Sequence, residues 1–235
     1  MRSAAVLLAA GSGRRMGTGD KKQYLDLCGR PLMYYSLAAF SKSPVDDLVI
    51  VVSPGDAERV REDIVEKYGI DRVRAIVDGG AERYDSVLAG IRTAGDADMI
   101  LIHDTARPFV TLDMIGRAMK AASEYRAAVV GMPVKDTVRI TDGKGIGVNT
   151  PDRRSVWAAQ TPQVFEGDLI RRAYELMAED TDGSVRGDVL ITDDAQVAEL
   201  YTGVRSKMVE GSWSNIKVTV PEDIPVAESI LKRGV

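Results

Sequence analysis

Residues 4–11, AAVLLAAG, run straight into residues 12–25, SGRRMGTGDKKQYL. The first stretch is apolar or small throughout and does not alternate, so it reads as a β-strand covered on both faces. Glycines at the exit of such a strand let the backbone approach an anion and turn its amides toward it. Arg14, Arg15, Lys21 and Lys22 add positive charge to the same loop. Two better-known phosphate patterns are missed. Gly11 and Gly13 are followed by Met16 before Gly17, one position away from G-x-G-x-x-G, and no acid closes the second strand where a ribose would need it. The G-x-x-x-x-G-K-[ST] spacing is also absent. The loop alone leaves three readings: a triphosphate cradle, a site for another anion, or a solvated turn.

The texture of the first strand recurs outward along the chain. DLVIVVS (47–53), VRAIVDG (73–79), DMILIHD (98–104) and AAVVGMPV (127–134) read as further buried strands. PLMYYSLAAFS (31–41), DAERVREDIVEKYG (56–69), AERYDSVLAGIRTAG (81–95) and TLDMIGRAMKAASEY (111–125) repeat apolar residues at helical spacing. The alternation predicts an α/β fold, a mostly parallel sheet with helices outside, whose ligands bind beyond the carboxyl ends of the strands. Residues 132–165 alternate instead and carry a DGKG turn, so they predict a two-stranded excursion followed by a return to the main body. An isolated hairpin is marginal, and a partner subunit is its expected cover. Beyond it the pattern predicts a helix at about 166–180 and a second helix capped by Thr192, with Asp193 and Asp194 in its first turn. Strands at 204–210 and 215–220 should follow, then a closing helix at 221–233 with Pro221 in its first turn.

Composition narrows the function. The 235 residues are 45% hydrophobic, enough for a real core, and the formal charge of -4 argues against a general nucleic-acid binder while permitting a local cationic pocket. Cys28 is the one cysteine, so no internal disulfide forms and a reducing, cytoplasmic setting is expected. The apolar start is short for a signal peptide, and no run approaches the roughly 20 apolar residues of a membrane helix, so no membrane partner is expected.

ILIHDTARPF (100–109) delivers Asp104 at the end of a hydrophobic strand, where a carboxylate must be hydrogen-bonded, paired or metal-bound. Mg²⁺ suits it, being a hard ion that takes oxygen ligands and phosphates, and a loop-fixing clamp with Arg107 is the competing reading. His103 is the only histidine, which excludes clustered histidine metal sites and points to core packing or loop support. Trp157 and Trp213 read as core or subunit-contact anchors, and DRR at 152–154 on spacing alone could be a solvated charge run.

Seven segments in order carry a resemblance: AAGSGRRMG with KKQYL, DGGAERYDSVLAG, HDTARPF, KDTV, QTPQVF, ITDDAQ and NIKVTVPEDI. Together they resemble the 2-C-methyl-D-erythritol 4-phosphate cytidylyltransferases of the non-mevalonate isoprenoid pathway, essentially end to end. Ribitol-5-phosphate cytidylyltransferases are similar in most of the same segments. The resemblance implies one Rossmann-like nucleotidyltransferase domain over residues 1–235, with a protruding β-arm at about 134–155 used for dimerisation. It also implies Mg²⁺ as cofactor, held by Asp104, with CTP and a sugar-alcohol phosphate as substrates. Arg15, Lys22 and Lys217 would be catalytic. Ala9, Ala10, Gly11, Ser12, Gly13, Arg14, Gly80, Arg83, Ser86, Asp104 and Thr105 would bind CTP. Arg107, Thr161 and Lys217 would hold the acceptor phosphate, with Thr137 and Arg153 arriving from the partner's arm. Lys21, Ala81, Thr105 and Gln196 depart from the family's usual residues, Ala81 on the nucleotide side.

Overall fold

The computed structural model describes residues 1–11 and 21–234. Ser12, Gly13, Arg14 and Arg15, four of the expected site residues, lie outside the described residues.

The apolar runs form strands where the sequence places them, except that Val73–Asp78, expected to be covered on both faces, is only partly buried because it lies at the sheet edge. β1 (Ser3–Ala9) is followed by a small hairpin of β2 (Asp26–Leu27) and β3 (Arg30–Pro31), then α1 (Leu32–Ser41) and β4 (Asp47–Val52). Helix α2 (Ala57–Val60) continues into a wider π-wound segment, Arg61–Glu66, before β5 (Val73–Asp78). Helix α3 (Arg83–Ala94), β6 (Met99–Asp104), α4 (Leu112–Tyr125) and β7 (Ala127–Pro133) complete the alternating part. The excursion is a hairpin of β8 (Ile140–Thr141) and β9 (Gly147–Asn149), after which β10 (Trp157–Glu166) returns to the main sheet. The chain closes with α5 (Gly167–Glu179), α6 (Asp194–Thr202), β11 (Lys207–Glu210) and α7 (Asp223–Lys232).

Among the described residues the main sheet has seven strands in the order β11-β7-β10-β6-β1-β4-β5. All neighbours are parallel except β10, which runs antiparallel to both β6 and β7. The alternation of side chains across β1 explains why its sequence is apolar throughout: Ala5, Leu7 and Ala9 enter one core layer, Ala4 and Val6 the other. The first layer is closed by α1, α2 and α4, the second by α3, α5 and α6, through residues such as Met33, Leu37 and Ile115 on one side and Val87, Ile170 and Val197 on the other. Helix α3 sits especially close, because a Cβ on Gly90 would fall 2.2 Å from Val6 Cγ1.

Three expectations are corrected. Residues 215–220 form no strand: among the described residues a single backbone hydrogen bond ties this segment to the body, Val218 N–H to the Ala106 carbonyl at 2.8 Å. Helix α6 is capped by Asp193, whose Oδ1 accepts from Gln196 N–H at 2.9 Å, while Thr192 N–H and hydroxyl turn to the Gln196 side chain. Pro221 precedes α7 rather than opening it. The helix start is held by Asp223 Oδ2, which accepts from Thr219 and Val220 N–H. Cys28 is exposed and adopts a left-handed backbone at φ +53°.

Candidate active site

The chain order reverses around β1: β4 and β5 are laid on one side of it, and β6 on the other. Such a switch opens a crevice beyond the strand ends. Here it holds a cleft of about 590 Å³. Ala9, Ala10 and Gly11 line it from the end of β1, Asp104 and Thr105 from β6, Gly80, Arg83 and Ser86 from the β5–α3 turn, with Lys22 and Lys217 closing the sides. These are ten of the sequence-predicted residues, gathered from segments more than 200 residues apart.

Local chemistry fixes each wall. The turn before α3 needs its glycines: a Cβ on Gly80 would lie 2.2 Å from Asp85 Cβ, and one on Gly79 2.6 Å from Ser86 Oγ and 2.7 Å from Ala10 Cβ. The helix start is closed by a reciprocal capping box between Glu82 and Asp85, while the Ser86 hydroxyl accepts from Gly80 N–H at 3.1 Å. The positive end of α3 therefore faces the cleft. Across from it, Thr105 is tied back to β1 by its N–H and hydroxyl, both donating to the Leu8 carbonyl. Lys22 lies beside the loop entrance, with its Cε 3.7 Å from where a Gly11 Cβ would stand.

Asp104 is the electrostatic centre. Lys217 Nζ donates to its Oδ2 at 2.6 Å, and Arg83 Nη2 reaches its Oδ1 at 3.4 Å. Burial alone would raise this carboxyl, but Arg83 and Lys217 outweigh it and hold Asp104 ionised well below the usual carboxylate range. Burial likewise opposes the Arg83 charge. Asp194 overrides it by taking both Nη atoms at 2.8 Å, which raises Arg83 above its ordinary value. Arg83 was expected to serve the nucleotide, and much of its fork is instead spent within the protein.

A second set of contacts lies behind this one. β10 pairs regularly with β6 only up to Ile102 opposite Gln163, and its register against β7 slips between Ala159 and Gln163 around Pro162, which has no N–H to donate. At the slip the Thr161 hydroxyl replaces a ladder acceptor and takes Asp104 N–H at 3.2 Å. The same oxygen meets His103 Nδ1 at 2.9 Å, and His103 Nε2 meets the Arg107 carbonyl at 3.2 Å. A carbonyl only accepts, so Nε2 carries the proton and Nδ1 accepts from Thr161. Burial pushes the imidazole down to about 4, which matches a neutral ring acting as loop support. Arg107 donates through Nη1 to the Asn215 carbonyl at 2.9 Å; among the described residues its buried Nε has no partner, and burial pulls the guanidinium below its ordinary value.

Thr137 and Arg153 are not brought to this cleft. Both are exposed on the arm, where Arg153 Nη1 reaches the Lys135 carbonyl at 3.4 Å. Trp213 is 45% exposed beneath the Lys135 ammonium, 3.9 Å from its ring centre, so it is no core anchor. Lys21 pairs with Asp56 at 2.6 Å, away from the cleft lining. Two residues escaped the sequence reading. Tyr174 and Gln163 form a buried network with Asp194 behind Arg83; Asp194 was expected in the first turn of its helix, and the available signal for its further role was the doubled aspartate, since a helix start needs one cap and Asp193 supplies it. Among the described residues no group of three or more histidine, cysteine or acidic side chains could hold a metal by itself, and no helix is long and apolar enough to cross a membrane.

The family model of 2-C-methyl-D-erythritol 4-phosphate cytidylyltransferase matches residues 3–233. A protein of that name from Geobacter metallireducens is 45% identical over 233 residues, covering 97% of each chain. Another from Lachnoclostridium phytofermentans is 42% identical over 228 residues, covering 97% of this chain and 95% of its own. The crystal structure of 4-diphosphocytidyl-2C-methyl-D-erythritol synthase from Anaerococcus prevotii superposes with a TM-score of 0.85 at 31% identity, covering 99% of this chain and 96% of that one. With its switch-point cleft and its nearly complete match, the chain belongs to the 2-C-methyl-D-erythritol 4-phosphate cytidylyltransferase family of nucleotidyltransferase enzymes.

Proposed function

We propose that the protein transfers a cytidylyl group from CTP to 2-C-methyl-D-erythritol 4-phosphate, releasing pyrophosphate and giving CDP-methylerythritol for isoprenoid precursor synthesis. The observation that carries this reading is the convergence of Lys22, Lys217 and Arg83 on a cleft bordered by the β1 exit and the N-terminus of α3. A phosphate oxygen of the acceptor attacks the α-phosphorus of CTP, and the bond to the β-phosphate oxygen breaks. Both reactants are strongly anionic, so the site must first offset their repulsion and then stabilise charge on the equatorial oxygens. A phosphate monoester, with a second pKa of about 6, is already a competent nucleophile, so no general base is required. That accounts for a cleft wall with cations and no titrating histidine, His103 being neutral and wholly buried.

In this reading Gly11 with Ser12, Gly13 and Arg14 wraps the triphosphate, Arg15 and Lys22 neutralise it, and Gly80, Ser86 and Thr105 border the base and ribose. Arg107, Thr161 and Lys217 receive the acceptor phosphate. Asp104 fits Mg²⁺ as a single ionised carboxylate on the cleft wall, the kind of partial donor set that this ion completes with phosphate oxygens and water. The ion supplies charge neutralisation at the phosphates. Homodimerisation completes the acceptor side: Ile140, Ile146 and Val148 on the arm are 48%, 64% and 62% exposed, an apolar face that a second copy would cover. Thr137 and Arg153 would then come from the partner's arm. A cytoplasmic setting fits the exposed lone thiol of Cys28.

The test is pyrophosphate release from CTP and Mg²⁺ by the purified protein, with methylerythritol 4-phosphate and ribitol 5-phosphate supplied in parallel. Release with the first acceptor is expected. Preference for the second would move the substrate assignment and leave the mechanism intact, and no release with either would refute the enzymatic reading.

A further inference from the structure

Arg83 carries its charge to the cleft wall, yet its nearest carboxylate lies behind the cleft. Both Nη atoms stand 2.8 Å from the oxygens of Asp194, whereas Asp104 Oδ1 is 3.4 Å from Nη2. Asp194 is completely buried in the first turn of α6 and held from two further sides. The Tyr174 hydroxyl donates to its Oδ1 at 2.6 Å, and its own N–H donates to Gln163 Oε1 at 3.1 Å, an oxygen that also takes Ala195 N–H at 2.9 Å. The capping duty of this helix falls to Asp193, so Asp194 is not needed for it.

We infer that Asp194 is a positioning residue: it anchors Arg83 by a two-pronged bond, keeps the guanidinium from closing on Asp104, and so leaves that carboxylate able to hold the cation that accompanies the triphosphate. The inference rests on the nucleotide reading above. A guanidinium presents a rigid fork that favours two-pronged capture of a carboxylate. In this protein the fork is turned to Asp194 and only one nitrogen reaches Asp104. With the charge of Asp194 removed, Asp104 becomes the one strong anion beside Arg83, and its other oxygen already takes Lys217 at 2.6 Å. With Arg83 held at 3.4 Å only Lys217 of the two is in close contact with Asp104, and a second cation drawn in to the same range opposes the approach of a third.

The experiment is Asp194→Asn, which keeps the volume and removes the charge. CTP binding is followed by titration calorimetry over a series of Mg²⁺ concentrations, alongside the KM for the acceptor. At limiting Mg²⁺ the variant should bind CTP about 10-fold or more weakly, returning toward wild type as Mg²⁺ rises, with the acceptor KM unchanged. A damaged fold would not be repaired by the ion. No loss, or an equal loss at every Mg²⁺ concentration, overturns the inference. Wild type that binds no CTP at any Mg²⁺ concentration overturns the nucleotide reading together with it, and the wild-type titration tells that outcome from the others. Where Asp194→Asn fails to fold, Tyr174→Phe takes its place, with about 3-fold weaker binding at limiting Mg²⁺ and the same recovery expected. Unchanged CTP binding by folded Tyr174→Phe also overturns the inference.

Discussion

Thr161→Val removes one hydroxyl and almost no volume, yet that hydroxyl serves two buried groups. It accepts Asp104 N–H at 3.2 Å and donates to His103 Nδ1 at 2.9 Å. Thr161 is 4% exposed and His103 fully buried, so water cannot replace either contact without opening the sheet. Each orphaned group costs about 1–3 kcal/mol, and the two together roughly 2–6 kcal/mol. In a chain of this size 1 kcal/mol moves the melting temperature by about 2–4 °C, so a fall of roughly 4–24 °C is expected in thermal unfolding followed by circular dichroism. Thr161→Ser, which keeps the hydroxyl, should recover most of it. The consequence reaches catalysis, because the backbone that loses its bond carries Asp104 and the ring that loses its bond supports the Arg107 carbonyl. Turnover should therefore fall in Thr161→Val even well below its melting point. A Thr161→Val protein that melts within about 2 °C of wild type would refute the reasoning, since it would mean that neither group depends on the hydroxyl.

Acid should destabilise the metal-free protein in two stages. His103 has a free value of about 6.5 and is pushed down to about 4 in the fold, so between those limits the unfolded chain binds the extra proton and stability falls by about 3 kcal/mol as pH drops. Asp104, depressed in the fold, loses its contribution as pH falls further through and below the carboxylate range. Urea titrations across this window check the slope, which His103→Asn should flatten. Gly90→Ala should cost about 1–3 kcal/mol, because the new methyl meets Val6 Cγ1 at 2.2 Å and Val51 Cγ2 at 3.0 Å; trimming Val6 to alanine in the same chain should restore part of the melting temperature. Lys22→Ala should lower kcat far more than it weakens CTP binding, whereas Arg153→Ala should mainly raise the acceptor KM; steady-state kinetics with each substrate varied separates the two, and an unchanged kcat in the first removes Lys22 from its role.

The strands and their order of appearance were legible because a doubly covered sheet writes itself as uninterrupted apolar runs, and β1, β4, β6 and β7 are such runs. Residues 215–220 alternate instead, as a half-covered strand would, and form no strand, since composition does not reveal whether an edge is free to pair. The cleft itself was legible as glycines and cations at strand ends. What the sequence hid was the division of labour among its charges. That Arg83 is shared between two carboxylates, and that Thr161 repairs a slipped ladder, depend on contacts across 111 and 57 positions that no local pattern encodes.

The legs of the arm are themselves neighbours in the sheet. Pro133 at the end of β7 lies opposite Trp157 at the start of β10, and Val134 N–H bonds the Val156 carbonyl just beyond them. The main body therefore meets this excursion as a closed loop, whose entropy depends only weakly on its length. On the reading proposed above, the nucleotide contacts and the Arg107, Thr161 and Lys217 contacts to the acceptor are fixed by the main body and resist change, while the Thr137 and Arg153 contacts hang on an appendage that can lengthen, shorten or drift. Such a division lets a lineage exchange one sugar-alcohol phosphate for another without rebuilding the machinery that activates CTP.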